Sequence, residues 1–109
     1  MRFMMLIKAS EESAAGMMPD MGEYNEQLAK AGVLLDLSGF QPNGARVRFA
    51  GGKPQVIAEP STERNQCIAG YWLIQARSKE EAIEWAKRVP FQDGEIEICR
   101  LLELSNDDF

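Results

Sequence analysis

The side chains best placed for chemistry in this chain are carboxylates, arginines and aromatics, because no histidine occurs in its 109 residues. Glu59 and Glu63 flank Pro60 in a polar loop that feeds a strongly apolar strand. A carboxylate at the mouth of an apolar cleft has its pKa raised until it can shuttle a proton. The same two residues also fit a plainer role, as solvated loop acids that cap a turn. Arg46 and Arg48 share one face of a strand, since strand side chains alternate with period two. A guanidinium there can hold an oxyanion bidentately, pair with acids across an interface, or keep an exposed edge from aggregating. Glu63 as proton carrier and Arg48 as oxyanion partner are the candidate catalytic residues. Tyr24, Gln41, Glu59, Tyr71 and Trp72 are the candidate substrate contacts. Tyr71 and Trp72 are consecutive on a strand, so one faces the helices and the other faces a pocket or a partner.

The missing histidine excludes much. Histidine is the commonest general base near neutral pH and the commonest metal ligand. A Ser-His-Asp or Cys-His triad is impossible within the chain, and so is an iron site of two histidines and a carboxylate. Ser61 therefore has no partner histidine to make it a nucleophile. Cys67 and Cys99 are too few for a disulfide framework or a zinc site and point to a reducing cytoplasm. Gly51-Gly52-Lys53 lacks the length and following helix of a phosphate loop. A formal charge of −5 argues against nucleic acid as a partner. No run approaches the roughly 20 apolar residues of a membrane span. The expectation is thus a cytoplasmic protein with no metal or cofactor and no nucleic-acid or membrane partner.

The elements that must position these residues follow from periodicity. Arg2 to Lys8 is apolar on both faces, as in a central strand covered on each side. Pro19-Asp20 opens a helix, Asp20 and Glu23 form a capping box, and Met21, Tyr24, Leu28 and Ala31 form its apolar stripe. Gly32 is its left-handed stop. Val33 to Leu37 is a short strand. Ala45–Ala50 and Pro54–Ile57 flank Gly51-Gly52 as a hairpin. Cys67 to Ala76 carries the strongest strand signal. Ser78 and Glu81 cap a second helix that stops before Pro90, and Glu95 to Leu102 is the last strand. Met4, Met5, Met17, Met18 and Met21 suit adaptable packing or the lining of an apolar pocket.

The order β-α-β, hairpin, β-α-β predicts an α+β fold, a ferredoxin-like split βαβ with an added β-hairpin. Residues 1–104 form one domain and 105–109 a frayed tail. A sheet apolar on both faces, in a chain too short to supply a second cover, predicts a homodimer.

From Val47 to Trp72 the chain resembles the signature region of the YCII-related (DGPF-domain) family. Met1-Arg2-Phe3-Met4-Met5, Glu23-Tyr24-Asn25-Glu26, Gly44-Ala45-Arg46-Val47-Arg48-Phe49, Gly70-Tyr71-Trp72 and Glu80-Glu81-Ala82-Ile83 extend the likeness along most of its length. The family's four named letters fall at 58 to 61, where Ala58-Glu59-Pro60-Ser61 keeps only the proline. Glu63 matches a carboxylate the family also has, and Ser38 replaces the acid that usually precedes Gly39. The resemblance implies a dimeric α+β barrel, two ferredoxin-like sheets packed face to face. Its relatives include cofactor-independent enzymes for small molecules, and some are associated with sigma factors. Some carry a His-Asp pair in the cleft, which this chain cannot form. The expectation is a small-molecule-binding dimeric barrel suited to proton transfer: isomerisation, dehydration or cyclisation of an organic metabolite. The alternative is a non-catalytic binding or regulatory module acting through protein contacts, for example with a sigma factor.

Overall fold

Alternating apolar residues bury one face of the first strand completely. In β1 (Arg2–Ala9) Phe3, Met5, Ile7 and Ala9 are buried, whereas Met4, Leu6 and Lys8 between them are half-covered. The structure, a computed structural model, describes residues 1–9, 11–40, 45–57, 67–91 and 93–103, and within these all side chains but those of 11–20 and 67. β1 lies inside a four-stranded antiparallel sheet with β2 (Leu34–Gly39), β5 (Cys67–Gln75) and β6 (Glu95–Arg100), in the order β2-β5-β1-β6. That order interleaves two βαβ halves, β1-α1-β2 and β5-α2-β6, where α1 is Glu11–Lys30 and α2 is Lys79–Lys87. The α+β, ferredoxin-like expectation therefore holds.

Both helices pack on the face of Phe3 and Met5. Tyr24 and Leu28 of α1 and Ala82 of α2 join Phe3, Met5, Ile7, Trp72, Ile74, Ala76 and Val89 in one core. Each large side chain there contributes roughly 1.5–3 kcal/mol by leaving water. The Tyr24 hydroxyl donates to the Trp85 carbonyl at 2.7 Å, tying α1 to α2. Burial pushes that phenol's pKa well above the usual tyrosine value.

α1 ends as its sequence predicts. Gly32 takes φ 73°, Val33 N–H donates to the Leu28 carbonyl at 3.2 Å, and Gly32 N–H donates to Ala29 at 3.0 Å, a Schellman cap. Its start does not follow the prediction: the helix begins at Glu11, and Pro19 lies inside it. Ala14, Ala15, Met17 and Met18 are strong helix formers without an apolar period, and Glu11 and Glu12 suit the positive end of the helix dipole. At α2 the expected cap is present, with the Ser78 hydroxyl accepting from Glu81 N–H at 3.1 Å. The Glu81 carboxylate reaches one residue further back and accepts from Arg77 N–H at 3.2 Å.

β3 (Arg46–Ala50) and β4 (Lys53–Ile57) form a separate two-stranded sheet. Gly51 and Gly52, at φ 59° and 80°, make the two-residue turn with both central residues left-handed. Residues 105–109 lie outside the described residues.

Candidate functional site

The face of the sheet away from the helices carries the exposed chemistry. Opposite residues of an antiparallel pair share a face, and the register places Met4 with Leu73, Leu6 with Tyr71 and Lys8 with Ile68 across β1 and β5. On the other flank Leu6 faces Glu97 and Lys8 faces Glu95. An irregularity between Leu34 and Asp36 then decides what β2 presents. Leu34 pairs with Ile74 on the helix side, whereas Asp36 pairs with Leu73 and Ser38 with Tyr71 on the open side. Without that extra residue, period-two alternation would aim Asp36 at the core with Leu34.

Two polar clusters result. The Tyr71 hydroxyl donates to Asp36 Oδ2 at 2.8 Å, and Asp36 Oδ1 accepts from Leu37 N–H at 2.9 Å. The Phe40 ring lies 5.8 Å from that of Tyr71, tilted by 46°. The hydrogen bond to Asp36, with some desolvation and the carboxylate's charge, raises the Tyr71 pKa above the ordinary 10.0, so the phenol remains a donor at neutral pH. Across β1, Lys8 Nζ donates to Glu97 Oε1 at 2.9 Å and Cys99 Sγ to Glu97 Oε2 at 3.6 Å. The Lys8–Glu97 hydrogen bond raises the Lys8 pKa and lowers that of Glu97. Desolvation, then the hydrogen bond to Glu97, raises the Cys99 thiol, which disfavours the nucleophilic thiolate. Between the clusters Met4, Leu6 and Leu73 form a half-covered apolar strip.

The predicted site residues are distributed unevenly over this frame. Tyr71 is on the open face. Trp72 points the other way, only 2% exposed, with its Nε1–H donating to Asn25 Oδ1 at 2.7 Å. Tyr24 meets it edge-on, ring centroids 5.0 Å apart. Expected as substrate contacts, Tyr24 and Trp72 sit together in the core, because α1's apolar stripe covers that side of β5. Arg48 lies on the separate hairpin, opposite Gln55. Gln41, Glu59 and Glu63 lie outside the described residues. Nothing in the sequence pattern singles out Asp36; only its cross-strand position beside Tyr71 does. Among the described residues, no group of three or more cysteines, aspartates and glutamates is placed to hold a metal ion. No helix among them is long and apolar enough to cross a membrane. A depression of about 370 Å³ opens elsewhere, between β6 and the start of α2, lined by Phe3, Ser78, Lys79, Glu80, Ile98 and Arg100 among others.

The family model of the YCII-related domain matches residues 1–105. The chain belongs to the YCII-related family. No curated protein matches it. In this YCII-related chain, then, the Tyr71–Asp36 hydrogen bond lies on the open face of the four-stranded sheet.

Proposed function

We propose that this YCII-related chain works as a homodimer that holds a small organic molecule over the open face of its sheet and assists proton transfer there. The observation that carries this reading is the 2.8 Å hydrogen bond between Tyr71 and Asp36 beside an apolar strip. A carboxylate next to a protonated phenol forms a base and a hydrogen-bond donor within one substrate's reach. Met4, Leu6 and Leu73 contact the carbon skeleton. Asp36 takes a proton from a carbon next to a carbonyl, and the Tyr71 O–H turns from Asp36 to donate to the substrate oxygen where negative charge collects. Returning the proton from Asp36 to a different carbon completes an isomerisation; giving it to a β-hydroxyl, which then leaves as water, completes a dehydration. No bound cofactor is needed for either. Cover over the face strengthens both interactions by excluding water, and a second copy of the sheet is the natural cover.

Solvent deuterium exchange tests this chemistry. A panel of enolisable ketones and lactones is incubated with the protein in deuterium oxide and followed by proton NMR. At least one member should lose its acidic C–H signal faster with protein present, and Asp36→Asn should slow that loss by about 100-fold or more. Catalysed exchange that is unchanged in Asp36→Asn removes Asp36 from the mechanism. No catalysed exchange for any member contradicts proton transfer as the function and leaves the non-catalytic binding module as the better reading.

A further inference from the structure

We infer that the β3–β4 hairpin is an arm that seats its apolar face on a second copy of this chain. The register puts Val47 opposite Val56 and Phe49 opposite Pro54, so these four share one face of the hairpin. That face is bare: Val47 is 53%, Phe49 69% and Val56 72% exposed. No hairpin residue joins the hydrophobic core. An isolated two-stranded hairpin is at best marginally stable in water and needs a surface to pack on.

The second copy is singled out by charge and by area. The arm carries Arg46, Arg48 and Lys53 and no acid. Removing those three positive charges from a chain of −5 leaves the remainder at −8. A cationic arm and an acidic body on one chain are complementary between copies, which steers association and fixes orientation. By the same register Arg46, Arg48 and Lys53 lie on the hairpin's other face, so their charge acts on the approach of the two copies and not by contact beneath the arm. The body also supplies bare apolar residues on its open face to receive the arm: Phe40 beside Tyr71 and Ile68 opposite Lys8 are 49% and 46% exposed.

The area argument is geometric. Four strands about 4.8 Å apart and roughly 20 Å long present a footprint of about 400 Å², below the ~800 Å² per partner of a standard stable interface. Each arm, two strands of five residues, adds roughly 160 Å². Each partner gains its own arm and the surface covered by the other's, which closes most of the gap. Two such reciprocal contacts form a closed, two-fold dimer.

This inference rests on the dimer of the preceding section, and sedimentation separates the two. Wild-type protein, Phe49→Glu and Val56→Glu are compared by analytical ultracentrifugation across micromolar concentrations, with far-UV circular dichroism as the fold control. Each variant should keep the wild-type spectrum and raise the dimer dissociation constant by at least on the order of 100-fold, since two-fold symmetry takes one large apolar side chain out of the interface on each partner. The double variant Arg48→Glu/Lys53→Glu should also weaken the dimer and flatten its salt dependence. A photo-crosslinking benzophenone at position 49 should give covalent dimers from the unmutated remainder. A wild-type dimer that is unchanged in all three variants, with crosslinks only within one chain, overturns the arm and leaves the dimer standing. A wild-type monomer overturns both.

Discussion

Gly70→Ala is the substitution whose effect the structure specifies most closely. Gly70 is buried on β5 opposite Ile7 of β1 and Gly39 of β2. A Cβ added there would lie 2.5 Å from the Ser38 carbonyl oxygen, 3.1 Å from Gly39 Cα and 3.4 Å from Ile7 Cδ1. The first two are backbone atoms and cannot rotate away, so β2 must move off β5. Overpacking of this kind costs about 1–3 kcal/mol. The loss of unfolded-state freedom on replacing glycine offsets roughly 0.4–1 kcal/mol of that. A net destabilisation of about 1–2 kcal/mol corresponds to a Tm lower by roughly 4–16 °C in a domain of this size. Differential scanning calorimetry measures it directly. The displaced strand is the one that carries Asp36, so the Tyr71–Asp36 bond should lengthen and the Tyr71 pKa fall back toward 10.0. A Tm within 1 °C of wild type, with Tyr71 titrating unchanged, would refute the close β2–β5 approach and the site geometry built on it.

Three further predictions follow from single contacts. Both tyrosines of the chain have phenol pKa values raised above 10.0, Tyr24 by burial and Tyr71 by its bond to Asp36. Spectrophotometric titration should therefore show less than one half-ionised phenol at pH 10 in the native protein. The linked stability is fully present below pH 10 and lost as pH rises, because unfolded phenols ionise first; two phenols titrating together at 10 would contradict this. Trp72→Phe removes the donor to Asn25 and packing against Tyr24, and should cost about 1–3 kcal/mol in urea unfolding, with no loss meaning that the hydrogen bond is absent in solution. Glu97 has its pKa lowered below 4.5 by Lys8, so its contribution is present above that pH and lost as pH falls through the folded value. Glu97→Gln should flatten stability against pH on that acid limb, and an unchanged slope would show that the Lys8–Glu97 pair does not form.

Much of this scaffold is legible in residue pattern. Gly51-Gly52, Gly32 and Ser78 each force a local conformation through sterics or hydrogen bonding, and each adopts it. The first half of α1 is not legible in the same way. Residues 11–18 carry helix propensity without periodicity, and an interior proline costs about 3 kcal/mol, so Pro19 reads as a start. The site is less legible than the fold. Asp36 reaches Tyr71 through one extra residue in β2, which reverses that strand's inside and outside, and no residue type in Leu34-Leu35-Asp36 signals it. Tyr71 and Trp72 are recognisable as an opposed pair, but which one is core depends on which face the helices cover. The altered motif at 58 to 61, with Glu59 and Glu63, lies outside the described residues and keeps its sequence-level reading.

The central claim is that the open face of the sheet, with Tyr71, Asp36 and their apolar neighbours, is covered by a second copy and not by water. Sedimentation equilibrium of the wild-type chain at 1–100 µM, on the order of the concentrations that separate specific dimers from weak encounters, tests it most directly. The account predicts a single species of twice the 12.2 kDa chain mass. A folded monomer throughout that range would contradict it.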